Sequence, residues 1–153
     1  LAAYPEEEWN GGKIHRISGN LIHLMRGECY RVEGKTIFAF GGGESREYDL
    51  RDGAKTWWEE EMPSAGEMTQ GLGTLAAAGN QVDFILTHDA PASIKHFLNL
   101  EDNEESTIHL YLDYIAKHCD FEKWFFGRYH LDKVIPPRYA VLFKDTIPAE
   151  SRP

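Results

Sequence analysis

Two cysteines, Cys29 and Cys119, in 153 residues are too few for a disulfide framework, and their scarcity suits a reducing compartment. No apolar run approaches the roughly 18–20 residues that a membrane-spanning helix requires, and the first residues lack a basic-then-apolar signal pattern. We therefore expect a cytoplasmic chain with no membrane partner. A cationic excess is also missing: 16 Lys and Arg stand against 25 Asp and Glu, a net charge of −9. Surfaces that track a nucleic-acid polymer or an anionic membrane need the opposite balance, which sets both aside and still leaves room for a small site for one phosphate. Repeats, low-complexity stretches and long linkers are lacking too, so a single domain is expected. The chain opens Leu1-Ala2-Ala3-Tyr4 without an initiator Met, which points to a fragment or a processed product.

What is present suffices for a packed interior, with 42% hydrophobic and 12% aromatic residues, too many for a disordered tail. The first forty residues read as strands. Leu21–Met25 is a short apolar-rich run, and Cys29–Val32 and Thr36–Phe40 flank Glu33-Gly34-Lys35 as a hairpin. Gly41-Gly42-Gly43 ends the second arm, because three glycines cannot hold a strand cheaply. Residues 44–63 read as polar and irregular. Ser64 with Glu67 three residues on forms a capping-box signature, Met68, Leu72, Leu75 and Ala76 recur at helical spacing, and Gly79 is a stop. Val82–Thr87 is a buried-type strand. Pro91 opens a short helix, and Glu104–Lys117 a longer one with Ile108, Leu112 and Ile115 on its buried stripe. Lys123–Gly127 is an aromatic strand, and Lys133–Ile135 and Arg138–Phe143 flank Pro136-Pro137. Strands alternating with helices, framed by hairpins, argue for an α/β domain with a mixed sheet or two packed sheets.

Two stretches share a design. One buried strand runs into Thr87-His88-Asp89-Ala90-Pro91; another breaks at Gly127 and delivers Arg128 and His130 just beyond its end. In open α/β sheets ligands collect outside the carboxyl ends of strands, and two imidazoles presented there suit a divalent metal of the Mn, Fe or Zn type. Spacing alone leaves a second reading open, two unrelated polar residues capping loops, since 42 positions separate the histidines and a tight site takes three or four ligands.

Taken in order, several motifs of the chain resemble the second half of a calcineurin-like metallophosphoesterase, in particular a bacterial branch of phosphatase-like proteins. They are Tyr4-Pro5 with Trp9-Asn10-Gly11-Gly12-Lys13, Asn20-Leu21-Ile22-His23-Leu24-Met25-Arg26-Gly27-Glu28, Phe40-Gly41-Gly42, Lys55-Thr56-Trp57-Trp58, Thr87-His88-Asp89-Ala90-Pro91 and Phe126-Gly127-Arg128-Tyr129-His130. The resemblance implies an α/β sandwich of two mixed sheets flanked by helices, of which residues 1–153 are the carboxyl-terminal portion. It implies hydrolysis of a phosphorylated substrate by a hydroxide bridging two metals. Of the family's five motifs the first three find no match here. His88 matches the fourth, and the fifth, Gly-His-x-His, reads Gly127-Arg128-Tyr129-His130. His88 and His130 would then be metal ligands. Arg128 has no lone pair to offer and would instead pair with a phosphate oxygen. Catalytic residues would lie upstream of Leu1, leaving this chain inactive alone, and strands left without partners would expose apolar surface near residues 82–88 and 124–127 unless the missing half or another chain covers it. The alternative is a non-catalytic binding module that keeps the fold without metals.

Other residues have simpler readings. Gly41-Gly42-Gly43 is a strand-to-loop turn, or by the resemblance a wall of the cleft. Cys29 and Cys119 read as structural, and His15, His23, His96 and His109 as surface or half-buried polar residues. Asp89 and Asp132 read as solvated loop carboxylates, with orientation of an imidazole as the alternative. Trp57-Trp58 is a cleft wall or simple packing, and Glu59-Glu60-Glu61 a solvated face.

Overall fold

The computed structural model describes residues 1, 3–43, 61–99 and 106–150, with nine strands and three helices among them. A small antiparallel sheet comes first, from β1 (Glu6–Trp9), β2 (Gly12–Ser18) and β3 (Leu21–Leu24) in that order. A six-stranded mixed sheet follows: β4 (Glu28–Val32), β5 (Lys35–Phe40), β6 (Gln81–Thr87), β7 (Asp120–Phe126), β8 (Lys133–Ile135) and β9 (Tyr139–Val141), in the order β4-β5-β6-β7-β9-β8. The four central strands are parallel, and antiparallel β4 and β8 close the two edges. Helix α1 (Ala65–Ala77) joins β5 to β6; α2 (Ala92–Phe97) and α3 (Thr107–His118) join β6 to β7. The expected α/β class with two sheets holds, but the smaller sheet is antiparallel throughout rather than mixed.

Local chemistry accounts for the elements. The β4–β5 turn is the two-residue Glu33-Gly34, both at positive φ (50° and 82°), the pairing whose twist suits a tight hairpin. Ser64 caps α1 and accepts from the Glu67 amide, while the Glu67 carboxylate accepts from the Ser64 amide. Gly79 at φ +71° ends that helix. Ser106 caps α3 with a second reciprocal arrangement, completed by His109 in place of the usual Glu.

Leu75 from α1 and Ile108, Leu112 and Ile115 from α3 pack on Phe38, Phe40, Val82, Trp124 and Phe126 to form the main core. A second cluster, Ile14, Tyr30 and Ala39 with Trp9, Ile22 and Leu24, fastens the small sheet to the β4–β5 hairpin. The expected exposure of β6 and β7 is not found: Val82, Phe84, Ile85, Trp124, Phe125 and Phe126 are all buried. These strands lie at the centre of the sheet, with β5 and β9 on either side, so neither presents an edge. Their second face packs Phe84 and Phe125 with Ile37, Leu86, Leu142 and Ile147. Among the described residues no helix is long and apolar enough to cross a membrane.

Candidate functional site at the carboxyl ends of the parallel strands

Three chain segments leave the large sheet side by side. Phe40 on β5 pairs with Thr87 on β6, and Thr87 with Phe126 on β7, so the three strands end at one level. Gly41-Gly42-Gly43, His88-Asp89 and Gly127-Arg128-Tyr129-His130 therefore emerge along one rim. The Gly127 amide donates to the His88 carbonyl, which ties the second loop to the third.

At the centre of this rim sits Asp89, wholly buried. Its Oδ1 lies 3.1 Å from His109 Nε2 and accepts from the Tyr129 hydroxyl and the Ala90 amide; its Oδ2 lies 2.8 Å from Arg128 Nη1. The expectation of a solvated loop carboxylate at this position is therefore wrong. Burial pushes the carboxyl up, but the facing His109 and Tyr129 groups and the Arg128 charge outweigh it and hold it at about 2. Asp132, in contrast, accepts from the amides of Phe143, Lys144 and Asp145 and so pins the chain after β9.

His109 is also buried, rather than at the surface or half-buried as expected. The Ser106 amide donates to its Nδ1 at 3.0 Å, so that nitrogen carries no proton and the ring hydrogen stays on Nε2, which faces Asp89. A chain of contacts thus runs from the start of α3 through His109 and Asp89 to Arg128.

His88 is exposed at the rim, yet neighbouring groups crowd its ring. That partial burial, followed by the Arg128 charge, lowers its proton affinity and favours the neutral imidazole. Arg128 and His130 hold φ of +67° and +49°, a conformation that costs an ordinary residue roughly 1–2 kcal/mol. Outliers of this kind gather at functional sites, where the surroundings enforce them. His130 is exposed, with its ring against Phe143 at 4.7 Å between centroids. His88 and His130 thus share a rim, although no ring contact or hydrogen bond joins them.

The triple glycine belongs to the same site. A Cβ on Gly43 would come within 2.6 Å of Arg128 Nη1, 3.2 Å of Asp89 Oδ2 and 3.3 Å of His88 Cδ2. Gly43 is therefore a wall that only hydrogen leaves room for. Reading along the chain missed Asp89, His109 and Tyr129 as a unit; the one available signal was a carboxylate directly after a strand-end histidine.

Trp57, Trp58, Glu59 and Glu60 lie outside the described residues. Cys119 is buried and Cys29 half-buried, their thiols pushed up chiefly by burial, as structural cysteines require. Comparison of the chain with family models, with curated proteins and with solved structures yields no match.

Proposed function

We propose that this chain is the carboxyl-terminal part of a metal-dependent phosphoesterase of the calcineurin-like α/β-sandwich class, and that it supplies the rim on which a phosphate ester is held. The observation that carries the reading is the gathering of His88, Arg128 and His130 at the carboxyl ends of adjacent parallel strands, with Arg128 fixed by a buried carboxylate. Ligand sites of open α/β sheets form in this position.

The residues fit a metal centre in part. His88 is held toward its neutral form, which leaves a lone pair for coordination at neutral pH. His130 supplies a second imidazole. Among the described residues no group of three or more His, Cys, Asp or Glu is placed to hold an ion, so the remaining donors must come from elsewhere. When bound, such ions supply hydroxide at neutral pH and polarise the phosphoryl group. The chain's own contribution is positional. Arg128 is a planar fork of N–H donors, and its ion pair with Asp89 sets the plane in which a phosphate oxygen is met. Asp89 in turn is steadied by His109 and Tyr129.

The test has two parts. Binding of inorganic phosphate to this chain, followed by calorimetry, should weaken at least about tenfold in Arg128→Ala, as expected for loss of a charge-assisted contact. Phosphatase assay with added Mn²⁺ should show turnover for the protein translated from the longer reading frame and none for the 153 residues alone. Full turnover by the 153 residues would show that no upstream motif is required.

A second reading, a binding module without metals, is favoured by Arg128, which stands where the fifth motif of the resembled family has a histidine and which has no lone pair to offer a metal. Phosphate binding that survives in the longer protein with no turnover under any divalent ion would select it.

A further inference from the structure

The opposite end of the large sheet carries a cavity that shares no residue with the rim. It measures about 670 Å³ and lies where β6 and β7 begin, with Gln81, Val82, Asp120, Phe121 and Arg138 among its walls. That is the size of a small-molecule pocket. Gln81 pairs with Asp120 at this end and Thr87 with Phe126 at the other, so six residues of strand, about 20 Å, separate the cavity from the rim. Arg138, just before β9, is held in place here. Its guanidinium carbon lies 4.2 Å from the centre of the Phe121 ring, and Nη1 donates to the Phe121 carbonyl at 3.3 Å. Phe121 is itself buried and braced edge-on by Trp124 and Tyr139, so the guanidinium rests on a rigid ring.

The charges around this cavity cancel. Arg31 and Arg138 line it together with Asp83, Asp120 and Glu122. Lys35 meets Asp83 at 3.2 Å and Glu122 at 3.0 Å, and Asp83 also accepts from the Thr36 amide. With Lys35 counted, three cations face three carboxylates, which leaves no net field to draw in an ion. One planar surface stays open. Among the described residues the hydrogen bond and the ring contact of the Arg138 guanidinium both go to Phe121, on one of its two faces.

We propose that this cavity binds an uncharged, planar heteroaromatic ring with hydrogen-bonding edges, the class of a free purine base, stacked on the face of Arg138 that Phe121 leaves open. A delocalised guanidinium stacks on π-systems through its face. One already pressed against Phe121 gives up little further freedom when a second ring closes the sandwich. Gln81 and Asp120, opposite each other in register, give the same cavity an amide that donates and accepts and a carboxylate that accepts. Val82 and Ala78 add apolar wall. A neutral base suits the balanced charges, whereas a puckered ring of equal polarity has no flat face to lay on the guanidinium. The inference does not rest on the phosphoesterase reading, since none of its residues belongs to that rim.

The test is ¹H–¹⁵N NMR of the 153-residue chain titrated with adenine, and separately with benzamide and cyclohexanecarboxamide, which share an amide and differ in the flatness of the ring. Adenine should shift the Arg138 Nε–H signal and the amides of Gln81, Asp120 and Phe121, and leave those of His88 and Gly127 in place. Benzamide should bind at least about fivefold more tightly than cyclohexanecarboxamide, a comparison that needs no variant and so no refolding control. Arg138→Lys keeps the charge without the plane and should weaken adenine roughly tenfold, the size of one stacking contact. Equal binding of the flat and the puckered amide, or full adenine affinity in Arg138→Lys, would overturn the stacked ring. Adenine shifts confined to the rim, or none up to its solubility limit, would overturn the site.

Discussion

Asp89 concentrates the consequences available at the level of single residues. Its carboxyl is held at about 2 against an ordinary 3.8, so its contribution to stability is fully present above about pH 4 and is lost as pH falls toward 2. A shift of that size corresponds to about 2–3 kcal/mol. Asp89→Asn leaves Arg128 and His109 without their anion and should cost about 3 kcal/mol at neutral pH, since removing one partner of a buried pair is worse than never having built it. Urea unfolding of the two proteins should show that gap narrowing between pH 4 and pH 2. Gly43→Ala tests the same cluster by volume. Its Cβ would displace the Arg128 guanidinium from Asp89, and inorganic phosphate should bind several-fold more weakly even though Gly43 has no side chain of its own to offer it. His88, Arg128 and His130 were legible in the sequence because each follows an apolar strand within four residues. His109 was not, because its meeting with Asp89 depends on how α3 crosses back over the sheet, a distance of 20 positions that no local pattern encodes.

Among the elements, α1 shows how completely a local rule can fix a boundary. Ser64 and Glu67 satisfy each other's backbone amides, and Glu67 also meets Arg26 from the β3–β4 link at 2.9 Å. Ser64→Ala should destabilise the protein by about 1 kcal/mol in denaturant unfolding, whereas Ser64→Gly should cost only a few tenths, because glycine lets the amides turn to water. A larger loss for Gly than for Ala would mean that the hydroxyl is not what caps this helix. The same locality explains which strands could be read in advance. β4, β5 and β6 follow alternation or apolar runs bounded by turn residues, and the Glu33-Gly34 turn sets the register of β4 on β5. β1 and β2 fall within the forty residues that read as strands, but they begin as Glu6-Glu7-Glu8 and Gly12-Lys13, too polar to mark their individual bounds; those are set by the Asn10-Gly11 turn, with both residues at positive φ, and by the packing of Ile14 on Tyr30. The order of strands in the large sheet was illegible for another reason: parallel pairing is decided by crossovers, and α3 carries β7 beside β6 only after both helices have found the same core.

For the molecule as a whole the open question is whether its two sheets unfold together. They are joined by a modest cluster around Tyr30, whose hydroxyl donates to the Lys13 carbonyl on β2 and accepts from the Met25 amide just after β3. The main core of Phe38, Trp124 and the helix stripes lies elsewhere and makes no use of that hydroxyl. Burial pushes the Tyr30 phenol up to about 12, so the stability that it lends is present below about pH 10 and is lost as pH rises toward 12. Tyr30→Phe keeps the ring and removes both hydrogen bonds, which should cost about 1–3 kcal/mol because the carbonyl and amide it served are only partly compensated. Where that loss falls is the informative point. If the small sheet is a separate opening unit, amide hydrogen exchange in β1–β3 should quicken by about tenfold or more in Tyr30→Phe while the amides of β6 and β7 keep their rates. Equal acceleration in both sheets would instead make the protein one cooperative unit, with Tyr30 as much a part of the main core as Trp124.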